Sequence, residues 1–241
     1  MMLKEYVNAK SSYKKLAELE PDSALTHYLL YTVHIALREI KEANSALKTA
    51  LRHDDKHLPS LVAAITMGIN SGDLAAARDG LKKLETLTPK DDLVVVLKGD
   101  LAMSERKFLQ AATHYSELYK RVPNVDLAQK LGQAYWAGGD KKAALALLNE
   151  AVVTYPKSTK AQYALATAYQ ETGDVKRAVN AYKAAIQLDE KNVAALNNLA
   201  WLLRESDLPQ ARKYAEKAKE LSPNDSAINN TLLDIKKRQG G

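Results

Sequence analysis

Residues Thr159–Asn192 read TKAQYALATAYQETGDVKRAVNAYKAAIQLDEKN, and this stretch decides the fold. It divides into a helix, a turn at Gly173-Asp174, a second helix and a short polar link. The glycine allows a left-handed helix end, and the aspartate after it can cap the helix that follows. Variations on the same 34 residues run along the 241-residue chain. A period of that length marks stacked helix pairs, since one pair cannot bury its apolar face alone.

Two rulers fix the repeat. Ala43, Ala77, Ala111, Ala144, Ala178 and Ala211 fall at intervals of 34, 34, 33, 34 and 33. Pro21, Pro89, Pro123, Pro156 and Pro223 are separated by 68, 34, 33 and 67, which is two, one, one and two periods. The alanine marks where the second helix of a pair crosses the first, because only a small side chain admits so close an approach. The proline ends the second helix, since it cannot continue the hydrogen-bond ladder. Gly72-Asp73 and Gly139-Asp140 repeat the turn of Gly173-Asp174.

Composition sets outer limits. Hydrophobic residues make up 46% and charged residues 27%, which fits a folded chain and excludes bulk disorder. The net charge of +6 is spread along the helices among Glu and Asp, with no block of like charges, so no nucleic-acid partner is expected. Cysteine is absent, which removes disulfides, thiolate metal sites and thiol nucleophiles. No apolar run approaches the ~20 residues of a membrane span.

The pattern resembles the tetratricopeptide repeat. Leu165-Ala166, Tyr169, Gly173-Asp174, Ala178, Tyr182 and Ala185 carry the resemblance in the quoted stretch. Leu131-Gly132, Tyr135, Gly139-Asp140, Ala144, Ala151 and Pro156 carry it in the repeat before. The resemblance implies an all-α, right-handed superhelical solenoid of antiparallel helix pairs. Its repeats are drawn at 24–57, 58–91, 92–124, 125–158, 159–192 and 193–225 of a single array over 1–241. Residues 2–23 read as a second helix without its first, with Ala9 and Pro21 on the two rulers. That implies a chain cut from a longer array, Met1 being an introduced start. An uncovered face of Leu3, Tyr6 and Val7 would then favour a weak homodimer. Residues 226–241 read as a capping helix and tail, with Ile228, Leu232 and Ile235 in one stripe and Lys236, Lys237 and Arg238 before Gly240.

Departures from the pattern lie mainly in the N-terminal half. Tyr31 and Ile65 stand where the first helix should carry a small residue. Arg106-Lys107 replaces Gly-Asp, and Leu118 replaces alanine. This half is expected to pack less regularly. In the last repeat, Pro209 should open the second helix after a shortened turn.

Motifs for chemistry are scarce. His53-Asp54-Asp55-Lys56-His57 offers two imidazoles and two carboxylates, but in a link where polar residues are expected anyway. His27 and His34 share one helix face and read as core or edge histidines. Ser12-Tyr13-Lys14-Lys15 holds S-x-x-K without companion motifs, and no zinc-protease, nucleophile-elbow, Walker or dinucleotide motif occurs. No catalytic residue, metal site or cofactor is expected, and the chain reads as a non-enzymatic scaffold.

The family resemblance implies a concave wall of first helices, with groove positions spaced 3, 4 and 3 apart. Carried onto this sequence, these are Tyr28, Thr32 and Ile35; Val62, Thr66 and Ile69; and Val96, Asp100 and Met103. They continue as Gln129, Gln133 and Trp136; Tyr163, Thr167 and Gln170; Asn197, Trp201 and Arg204; and Asn230. The aliphatic first half reads as packing surface or as an internal contact with further N-terminal repeats. From Gln129 to Asn230, rigid aromatics beside amides and an arginine suit a protein or peptide partner, with a glycan as the alternative ligand; equally, the rings can pack against the next repeat and only wall the stack. The Lys and Asn of chaperone-binding clamps have no counterpart at Tyr28, Thr32, Val62 and Thr66. Residues 195–203, 214–218 and 221–225 resemble the last repeats of bacterial lipoproteins associated with exopolysaccharide and PEP-CTERM/exosortase loci. Asn230-Thr231-Leu232-Leu233 departs from that family's usual ending. This narrower resemblance implies a lipid-anchored parent in the periplasm or outer membrane rather than the cytoplasm. The competing expectations are a nucleic-acid-binding helical repeat and a cytoplasmic adaptor.

Overall fold

The computed structural model describes the backbone of residues 2–239 and the side chains of 4–238, so Met1, Gly240 and the Leu3 side chain lie outside what is described. Among the described residues there are fourteen helices and no strand. They are α1 Met2–Leu19, α2 Ala24–Ala36, α3 Ile40–His53, α4 Leu58–Ser71, α5 Leu74–Leu87, α6 Asp92–Ser104 and α7 Phe108–Arg121. After these come α8 Val125–Ala137, α9 Lys141–Thr154, α10 Thr159–Glu171, α11 Val175–Leu188, α12 Val193–Leu203, α13 Leu208–Leu221 and α14 Ser226–Gln239. The chain forms two compact units, residues 1–114 and 115–241.

In the first unit α2 packs on α3 and α4 on α5, and α1 lies against α2. Its core includes Ile65, Leu81, Leu84, Val94, Leu97 and Leu101. In the second unit α8 pairs with α9, α10 with α11 and α12 with α13, while α14 closes on α12 and α13. Tyr182, Leu199, Ala200, Ala215 and Ile235 lie in its largest core cluster.

The spacing of small residues has a direct structural cause. Ala43, Ala77, Ala111, Ala144, Ala178 and Ala211 are all fully buried, at 0% exposure. Ile65, also 0% exposed, stands where a smaller residue was expected and is accommodated across the pair by Gly80. A Cβ on Gly80 would approach the Ile65 side chain to 2.9 Å, so bulk on one helix is offset by its absence on the other.

Turns within the pairs follow the expected chemistry where the sequence supplies it. Gly72, Gly139 and Gly173 have φ of +82°, +89° and +77°, the left-handed region. Asp73, Asp140 and Asp174 then accept hydrogen bonds from the backbone N–H of Ala76, Ala143 and Arg177. In the first unit Arg38 and Arg106 take the same left-handed conformation, each at φ +60°, although both carry a Cβ. After Arg38, Glu39 makes no side-chain cap. Its carboxylate instead accepts from Lys10 Nζ at 2.7 Å and meets His34 Nδ1 at 2.6 Å, joining α1, α2 and the start of α3. The bonds to Lys10 and His34 hold the Glu39 carboxyl below its ordinary pKa. Pro209 lies in the first turn of α13, after Asp207, which caps Gln210 N–H. On α1, Tyr6 and Val7 are exposed.

Two substitutions test these causes. Ala178→Leu should destabilise the chain by about 1–3 kcal/mol, because the zero-clearance crossing has no room for three more carbons. Arg106→Gly should stabilise it by up to about 1 kcal/mol, relief of left-handed strain being partly offset by the entropy of glycine in the unfolded chain. Urea denaturation followed by circular dichroism reads both. A neutral Ala178→Leu or a destabilising Arg106→Gly would contradict the stated cause.

Candidate functional site

Most of the residues singled out by the sequence lie on α8, α10 and α12 of the second unit, the candidate wall. Its centre is Tyr182 of α11, whose ring is fully buried because small residues bring α10 and α11 together. A buried phenol must satisfy its hydroxyl. Tyr182 donates to Gln170 Oε1 at 2.8 Å and accepts from Asn198 Nδ2 at 3.1 Å, with Thr167 Oγ1 at 3.3 Å. Asn198 Nδ2 also donates to the Tyr163 hydroxyl at 3.2 Å. The Tyr163 ring meets Tyr182 edge-on, 5.7 Å between centroids. Thr167 Oγ1 donates to the Tyr163 carbonyl at 3.0 Å. Burial raises the Tyr182 pKa above its ordinary value, while the contacts with Thr167 and Asn198 oppose that rise.

The network fixes which polar atoms remain for a ligand. Gln170 turns its carbonyl inward, so its amide N–H groups are left for the half-buried surface. Tyr163 accepts from Asn198, which leaves its own O–H to donate. The wall is thereby polarised toward donors.

The other predicted residues fall into separate groups. On α8, Trp136 is half-buried against the cluster of Leu148, Leu165 and Tyr169, with Lys141 Nζ 5.1 Å from its ring centre. The side chains of Gln129 and Gln133, on the same helix, form no hydrogen bond with another described residue. On α12, Trp201 is 41% exposed, and the Arg204 guanidinium lies 3.6 Å over its ring. Arg204 also donates to the Trp201 carbonyl at 2.6 Å and pairs with Asp234 of α14 at 3.4 Å and with Glu205 at 3.3 Å. Asn197 Oδ1 is buried with no hydrogen-bond partner. Asn230 is exposed on α14. Among the described residues the Trp136 group, the Tyr163–Thr167–Gln170 group and the Trp201–Arg204 group share no hydrogen bond, ion pair or ring contact. Tyr182 and Asn198 were not among the predicted wall residues. Tyr182 was legible only as a mark of the repeat, and Asn198 only as the neighbour of Asn197.

The histidines are engaged on different neighbours. His53 stacks on His27 at 5.4 Å and lies 3.4 Å from Asp22, whereas His57 bonds Ser60 Oγ at 2.8 Å. His34 is buried against Glu39. No group of three or more His, Cys, Asp or Glu suited to a metal occurs among the described residues.

Tyr182→Phe should cost about 1–3 kcal/mol by stranding Gln170 Oε1 and one Asn198 donor. The Tyr182 pKa is raised on folding, so its contribution is full below the ordinary tyrosine pKa and lost as pH rises through the raised value. Denaturation between neutral and alkaline pH should show a steeper loss in the wild-type chain than in Tyr182→Phe. Equal slopes would remove Tyr182 as the cause.

Comparison with known proteins adds family and fold. The family model described as tetratricopeptide repeat matches residues 96–159 and 163–226, more than half of the chain. The human protein O-mannosyl-transferase TMTC3 is 26% identical over 236 residues, covering 94% of this chain and 26% of the relative, so the chain spans about a quarter of that protein. The crystal structure of yeast Tom70 superposes with a TM-score of 0.84 at 17% identity, covering 99% of this chain and 52% of Tom70. A tetratricopeptide repeat protein from Parabacteroides merdae gives a TM-score of 0.78 at 17% identity, covering 97% of this chain and 93% of the other. No helix among the described residues is long and apolar enough to cross a membrane. The alanine-sealed helix pairs, their Gly-Asp turns and the match over residues 96–159 and 163–226 agree: the chain belongs to the tetratricopeptide repeat family.

Proposed function

We propose that the chain is an interaction scaffold whose α8–α10–α12 wall receives an extended segment of a protein partner. The observation that carries this reading is the hydrogen-bond network around Tyr182. It leaves donors of Tyr163 and Gln170 at the surface, and main-chain carbonyls of an extended peptide are the acceptors such donors suit. Trp136 and Trp201 flank the network in sequence and offer apolar faces for side chains. Sugar hydroxyls could use the same donors, which makes a glycan the competing ligand. The partition into repeats at 24–57, 58–91, 92–124, 125–158, 159–192 and 193–225 is proposed as the organisation of the scaffold. Its proposed setting is envelope or exopolysaccharide assembly in a bacterium, with a lipid-anchored parent. The wording of 195–203, 214–218 and 221–225 supports that setting.

The similarity to the human O-mannosyl-transferase favours a second reading, in which the array is the partner-binding part of a larger transferase. Mannosyl transfer by the parent protein, assayed with and without residues 1–241, distinguishes the two.

Tyr163→Ala and Trp201→Ala should leave helicity intact. Each should reduce recovery of the co-purifying protein about tenfold or more when the parent is captured from its own cells. Undiminished recovery by both variants would overturn the wall assignment. Recovery abolished by glycosidase treatment of the captured material would move it to a glycan.

A further inference from the structure

The first unit contains an open cavity of about 500 Å³ between α2, α4 and the start of α6, on the aliphatic stretch that the sequence assigned to packing. Tyr28 and Tyr31 form one side, Leu58 and Val62 another, and Asp91 and Leu93 a third. That volume suits a side chain with its neighbouring main chain. Leu58 and Leu93 are 40% and 39% exposed, so the apolar rim is open to solvent.

The polar groups indicate what would enter. Asp91 Oδ1 accepts from Leu93 N–H at 2.9 Å, capping α6 and leaving the other carboxylate oxygen free. Asp91 forms no ion pair with any described residue. The Tyr28 and Tyr31 rings stack at 5.9 Å, and Tyr28 meets His57 edge-on at 5.6 Å. Neither tyrosine hydroxyl is hydrogen-bonded within the described residues, and no cation among those residues lies over either ring. Elsewhere rings of this chain do hold its own cations, as Tyr169 holds Arg177 and Trp201 holds Arg204. The cavity thus offers aliphatic walls, two aromatic rings free of cations, two unpaired hydroxyls and one unneutralised carboxylate.

From this combination we infer that the cavity takes a basic side chain, arginine or lysine, of an extended partner peptide. The methylene stem lies along Leu58, Val62 and Leu93, and the cation reaches the tyrosines and Asp91. Long basic side chains match such a site because they are apolar along the stem and charged at the tip. The cation gains both a ring quadrupole and a carboxylate. Acidic and neutral side chains leave Asp91 opposed or unpaired. The site is independent of the α8–α10–α12 wall.

Titration of the isotope-labelled full chain with acetyl-Leu-Arg-Leu-amide, followed by amide chemical shifts, tests the inference. The peptide should perturb residues 28–31, 58–66 and 91–93, and bind at least about threefold to tenfold more tightly than the citrulline or glutamate peptide of the same length. Asp91→Asn keeps an oxygen to cap Leu93 N–H, so the fold is retained, and it should bring the arginine-over-citrulline preference close to one. Trp201→Ala should leave the binding unchanged, which separates this site from the wall of the second unit. Absence of binding, equal binding of the three peptides, perturbations confined to other residues, or an unchanged preference in Asp91→Asn would each overturn it.

Discussion

The crossing of paired helices at an alanine with no exposed surface is the contact on which the rest depends. At Ala43, Ala77, Ala111, Ala144, Ala178 and Ala211 the backbones approach so closely that a larger side chain would force them apart. Close approach brings long rows of side chains into register, and the apolar ones form the core clusters of each unit. The Ile65–Gly80 exchange shows that the constraint acts on the pair rather than on one position. There the bulk of Ile65 on one helix is matched by the missing side chain of Gly80 on the other.

The same closeness produces the polar features of the wall. When α10 and α11 pack through alanines, the Tyr182 ring is sealed inside, and its hydroxyl must draw partners from α10 and α12. Gln170, Thr167 and Asn198 are therefore oriented by a fully buried residue. At α12 the balance differs: Trp201 and Arg204 satisfy each other, with Asp234 of α14 adding a charge partner. In the first unit Tyr28 and Tyr31 stand near a helix start whose capping aspartate pairs with no cation among the described residues. A cavity remains there in place of a closed network.

Strain is distributed according to what the turns contain. Where Gly-Asp is present, the left-handed residue costs nothing in Cβ contacts and the aspartate caps the next helix. Arg38 and Arg106 hold the same geometry without that help. Ion pairs surround these turns: Glu39 with Lys10 and His34, and Glu105 with Lys107 at 2.6 Å and with Arg78. The turn geometry is dictated by helix packing on both sides, so the sequence departs from the preferred residues while the backbone does not.

The period, the buried alanines, the helix-ending prolines and the Gly-Asp caps were legible in the sequence because each is a local or periodic requirement that one residue type satisfies. The helical class and the repeat family follow from these alone. Which wall residues keep free polar atoms was not legible, since that depends on partners 12 to 35 positions away, as with Tyr182–Gln170 and Asn198–Tyr163. Nor was the cavity at Tyr28, Val62 and Asp91, whose sides come from three helices and whose charge matters only because no cation among the described residues pairs with it. Periodicity places residues on faces; only the packed structure decides which of their atoms have already found partners.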